Sequence, residues 1–78
     1  MAKIITPIGA MIDELRLELQ FRWRVFPRQV LAGSMKQDEA TRRIRALEDI
    51  IAVLEQVNSP TRAAALGIPP NPQGDLLR

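Results

Sequence analysis

Any acid–base chemistry in this chain would have to rest on carboxylates, for which Glu48 and Glu55 offer a pair. Histidine, cysteine and tyrosine are all absent. With them go the commonest general base, the commonest metal ligand and the thiol and phenol nucleophiles. Without cysteine, neither a disulfide framework nor a thiolate zinc site can staple the fold. What is left for chemistry is mainly carboxylates, arginines, Lys3, Lys36, Ser34 and Ser59. This inventory argues against an enzyme and supplies no catalytic, cofactor-binding or metal-ligating set. It is better suited to binding.

The elements that would carry such binding are small. With 78 residues and a net charge of +2, the chain has room for one domain. A domain of this size buries only about 60–65% of the surface its unfolded form exposes, so its stability margin is thin. The apolar share of 46% beside 26% charged residues is that of a globular protein. No apolar run approaches the roughly 18–20 residues that span a bilayer. Pro7, Gly9 and the acids that follow make the N-terminal stretch a poor signal peptide. The expectation is a cytoplasmic protein with no membrane partner.

Three stretches separate. The first is a helix running to Phe26, with Thr6 as N-cap and Pro7 at the first helical position. Ile8, Ile12, Leu15, Leu19, Trp23 and Phe26 form its main stripe, with Trp23 expected in the core; beside Arg22 and Arg24 it could instead make a stacking platform for a nucleic-acid base. Leu15, Leu17, Leu19, Phe21, Trp23 and Val25 also alternate with polar residues in a strand-like pattern. No pairing partner of comparable length is visible, so the helix is preferred. Phe26-Pro27 should break or kink this helix, leaving Arg28 to Ala32 to form one more turn before Gly33.

The second helix runs from about Gln37 to Val57. Ala40, Ile44, Leu47, Ile51 and Leu54 make its seam, and Ile50, Val53 and Val57 widen it on one flank. Ser59 as N-cap and Pro60 then begin a short helical turn closed by Gly67. Residues 68–72 should be extended, with Leu76 and Leu77 beyond them. The predicted fold is all-α: an antiparallel helical hairpin over 1–58, then a short third helical turn and a proline-rich tail over 59–78.

Such a hairpin leaves two features unexplained. Leu17, Phe21 and Val25 form a second apolar stripe nearly opposite the first. Either the N-terminal segment (Ile4, Ile5) or the tail (Leu66, Ile68) folds over it, or it receives a partner, with a homodimer the expected case. Charge is also segregated. Residues 20–45 hold seven basic and two acidic side chains, a net of +5, and the rest of the chain carries −3. Arg22, Arg24, Arg28, Arg42, Arg43 and Arg45 should therefore gather at the loop end, facing nucleic-acid phosphate or an acidic protein surface. Arg22 could instead pair locally with Glu18.

The run FRWRVFPRQVLAGSMKQDEATRRIRALEDI resembles small helical proteins encoded by phages and prophages of proteobacteria. The residues that carry the resemblance include Glu14, Leu15, Arg22, Val25, Phe26, Pro27, Arg28, Val30 and Gly33. Met35, Glu39, Ala40, Arg42, Arg43, Ile44, Leu47, Glu48 and Ile51 complete the pattern. It spans Glu14 to Leu54, about half the chain. Lys36 stands where a capping Ser or Thr is usual, so that Ser34 and Gln37 would form a shifted capping box. Phe26 stands where Tyr is common. The resemblance implies phage origin and a helical hairpin, and no reaction. It suggests an accessory protein that binds a host or phage protein in the host cytoplasm, such as an anti-CRISPR type inhibitor of a host defence complex. A nucleic-acid-binding protein or a phage structural or assembly factor is the alternative.

Overall fold

The computed structural model describes residues 3–69, which form three helices: α1 (Ile8–Leu31), α2 (Gln37–Gln56) and α3 (Pro60–Ala65). No strand occurs among the described residues. The strand-like alternation over Leu15–Val25 is absorbed entirely by α1, whose buried residues Ile8, Ile12, Leu19 and Phe26 follow helical spacing. The long helices run antiparallel. Arg16 near the start of α1 pairs with Glu55 near the end of α2, and Arg22, further along α1, reaches the Arg43 carbonyl, further back on α2.

Pro27 lies inside α1 rather than ending it. The missing N–H and the ring clash cost about 3 kcal/mol in a helix interior. Continuing the helix brings Val30 alongside Phe26, Ala40 and Ile44 in one shallow depression. Val30 thereby gains an apolar setting on α2 that a break at Pro27 would forfeit. Only residues 32–36 then connect the two helices, half the length expected. The start of α1 also shifts by one position. Pro7, not Thr6, is the N-cap, and it provides no side-chain hydrogen bond.

Gly33 closes α1 as anticipated, at φ 81°. Its N–H donates to Val30 O (3.1 Å), and the Ser34 N–H donates to Gln29 O (2.9 Å), the paired bonds of a Schellman motif. The Ser34 hydroxyl donates to the same carbonyl and Gln37 bonds to Thr41, so the shifted capping box does not form. Lys36 is the N-cap of α2, and Asp38 and Glu39 meet the positive end of the helix dipole.

α3 follows the sequence rules closely. The Ser59 hydroxyl accepts from the Arg62 N–H at 3.2 Å, Pro60 opens the helix and Gly67 (φ 74°) ends it. A second Schellman pair, Gly67 N–H to Ala64 O and Ile68 N–H to Ala63 O, turns the chain back. That turn delivers Ala63 and Ile68 into one core with Ile8, Ile12, Leu19, Leu47 and Ile51. Ile68 was expected in an extended tail, yet its side chain is buried, because the cap geometry brings it back over Ala63. The positions expected beyond it, 70–72, Leu76 and Leu77, lie outside the described residues.

Two flank residues leave the predicted seam. Ile50 and Val53 are exposed, since no described element packs on that side of α2, whereas Val57 packs against the core. Among the described residues, no helix is long and apolar enough to cross a membrane.

Candidate binding surfaces on the hairpin

The second apolar stripe is open. Leu17 is 60% exposed and Phe21 47%, while Val25 is half-buried. Neither anticipated cover reaches them from the described chain. Ile5 and Leu66 are themselves exposed, and Ile68 is spent on the core. Leu17 and Phe21 lie about 160–200° around α1 from buried Leu19, so they form its outer face, turned away from α2. Arg24 continues that face, with its guanidinium 5.9 Å from the centre of the Phe21 ring. Arg28 follows one turn later, exposed.

The six arginines of the basic end divide into two groups. Arg22 and Arg43 are structural. Arg22 Nε is 3.1 Å from Glu18 Oε2, and its Nη1 donates to Arg43 O at 3.0 Å. Arg43 lies 3.6 Å from Glu39 and 4.9 Å above the Phe26 ring, whose other approach is occupied by Arg22 at 5.7 Å. The local pairing of Arg22 with Glu18 thus forms, and both guanidiniums lid the buried Phe26. Arg24, Arg28, Arg42 and Arg45 are exposed. Helical spacing puts Arg24 and Arg28 on the outer face of α1 but Arg42 and Arg45 on the outer face of α2. The charge therefore brackets the hairpin from two sides and does not form one continuous track. Arg45 is 3.6 Å from Asp49, which offsets part of its charge.

Trp23 is not core. It is 52% exposed and, with Leu19 and Ile51, forms the apolar floor of an open groove of about 350 Å³. Arg16, Gln20 and Glu48 line the polar part of that groove. Trp23 falls on the edge of the main stripe, at a flank where α2 presents Glu48 and Ile51 and, among the described residues, no third helix follows. The one sequence signal for this groove was a tryptophan between two arginines. Glu48 and Glu55, the carboxylates available for acid–base work, are separated in role. Glu48 lines the groove, whereas Glu55 pairs with Arg16. No cluster of three or more potential metal ligands occurs among the described residues.

The chain matches no protein-family model, no curated protein and no solved structure.

Proposed function

We propose that this protein acts by binding another protein, with the outer face of α1 as its docking surface. The observation that carries this reading is the pair Leu17 and Phe21. They stand one turn apart, about half exposed or more, on a helix whose opposite side is already committed to the core. Aromatic and arginine side chains dominate the energetics of protein interfaces, and Arg24 over Phe21 supplies that combination. The lack of histidine, cysteine and tyrosine supports binding over catalysis. The target proposed is a host or phage protein, as phage origin would imply. Inhibition of a host defence complex, or a part in phage assembly, is the form such binding would take.

Phe21→Asp tests this reading, because it buries a charge in any docked complex and little in the hairpin itself. The expected result is unchanged helicity with loss of both self-association and capture of protein partners. Association that survives Phe21→Asp, or a chain unfolded by it, would refute the assignment. Nucleic-acid binding through Arg24, Arg28, Arg42 and Arg45 is the rival reading. It predicts affinity that falls steeply with salt, by roughly one counterion per phosphate neutralised.

A further inference from the structure

The outer face of α1 carries more than two apolar side chains. Ala10, Glu14, Leu17, Phe21, Arg24 and Arg28 recur at spacings of 4, 3, 4, 3 and 4, the rhythm of a coiled-coil seam. All six are exposed, and they lie on the side of α1 away from the core. Their chemistry is ordered along the helix: a small residue and an acid first, two apolar residues in the middle, two arginines last. A row of that kind is complementary to itself when reversed.

We infer that the docking partner on this face is a second copy of the chain, its α1 lying antiparallel across the two-fold axis with the axis passing between Leu17 and Phe21. This inference rests on the reading of that face as a protein-docking surface and names the occupant it takes when the chain is alone, which a host or phage target would have to displace. In this register Leu17 of each copy meets Phe21 of the other, giving two apolar layers at the centre. Glu14 meets Arg24 on both sides of them, and Ala10 leaves room for Arg28 at each end. The small residue and the long one thus fall opposite each other, as do the acid and the base. A parallel pairing would instead set Glu14 on Glu14, Arg24 on Arg24 and Arg28 on Arg28, three like-charge layers. Glu18 is the one acid brought opposite its own copy by the antiparallel register, and Arg22 already neutralises it at 3.1 Å. Val25 adds apolar surface on the same flank.

The contact is modest. The strip from Ala10 to Arg28 is about 27 Å long. It lies near the roughly 1,000 Å² of buried area below which specific pairs become transient. Dimerisation is therefore concentration-dependent, and the charged layers decide register more than strength.

The test is a charge exchange read by sedimentation equilibrium on the full chain, with circular dichroism to verify the helices. Glu14→Arg places arginine against Arg24 in both charged layers, and Arg24→Glu places glutamate against Glu14. Each alone should weaken the dimer roughly tenfold or more, since two attractive layers become repulsive. The doubly exchanged chain, Glu14→Arg with Arg24→Glu, should regain wild-type association. Mixing the two single variants should also restore a dimer that neither forms alone. A wild-type chain that is monomeric throughout would overturn the inference. So would single exchanges without effect, or a double exchange that fails to recover while remaining helical. A monomer that still loses protein partners on Phe21→Asp would overturn the second copy as occupant and leave the docking face standing.

Discussion

Phe26 and Phe21 are separated by little more than one turn of the same helix, yet the structure gives them opposite energetic roles. Phe26 is 5% exposed and is covered by Arg22 and Arg43 at 5.7 and 4.9 Å. Truncation to alanine removes a buried ring and leaves a cavity, a change that costs about 3–5 kcal/mol in well-packed cores. Each cation–π contact adds about 0.5–1 kcal/mol. The site lies at the loop end, apart from the main core, where partial collapse offsets some of this, so about 3 kcal/mol is expected. Phe21→Ala, on a ring already half in water, should cost under about 1 kcal/mol. A chain of this size has a total stability of only about 4–12 kcal/mol. Phe26→Ala should thus lower Tm by about 12 °C or more, and Phe21→Ala by a few degrees. Urea unfolding followed by circular dichroism measures both, at a concentration where the wild type is monomeric so that association does not enter. Equal costs, or a larger cost at Phe21, would refute the assignment of the two rings.

Ile68→Ala should cost about 2–3 kcal/mol in the same assay, because its side chain closes the core with Ala63 and Ile8; a neutral result would remove α3 from the core. Gly33→Ala should cost about 1 kcal/mol despite open space around the site, since φ 81° is strained for any side chain. A stabilised variant would contradict the αL cap. Trp23 fluorescence should be accessible to acrylamide in the folded, monomeric chain, as its half-exposed indole beside Arg16 and Gln20 requires. Strong protection would return it to the core.

The parts of the fold that were legible in the sequence are those governed by local chemistry. Ser59, Pro60 and Gly67 bound α3 because a hydroxyl acceptor, a residue lacking N–H and a residue free to take positive φ each satisfy a helix end. The seam of α2 was legible because Ala40, Leu47 and Ile51 keep helical spacing without competing signals. Pro27 misled because its local penalty does not by itself end a helix: α1 continues to Leu31, where Val30 lines one depression with Ala40 and Ile44 of α2, outside any local window. Trp23, Ile50 and Val53 misled for a different reason. Two helices cover only an arc of each other, and periodicity does not reveal on which flank a third element lies. Here α3 closes the end of the hairpin where Ile8 and Val57 sit, and all three side chains stay open.

The candidate surface was read only in part. Leu17 and Phe21 stood out as apolar residues without a partner, whereas Arg24 and Arg28 read as part of the basic end and Glu14 as part of no surface. Glu14 and Arg24 share helical spacing with Leu17 and Phe21 before Pro27, whereas Arg28 joins them only because α1 runs unbroken through Pro27. The arginine cluster, read as one basic end, divides because Arg22 and Arg43 are consumed over Phe26.

The most direct measurement of the central claim is the solution mass of the wild-type chain over a wide concentration range, beside that of Phe21→Asp. The account predicts a wild-type mass that rises from 8.8 kDa toward twice that value, and a Phe21→Asp mass that stays at 8.8 kDa with unchanged helicity. A wild-type mass fixed at 8.8 kDa throughout, or a dimer indifferent to Phe21→Asp, would contradict it.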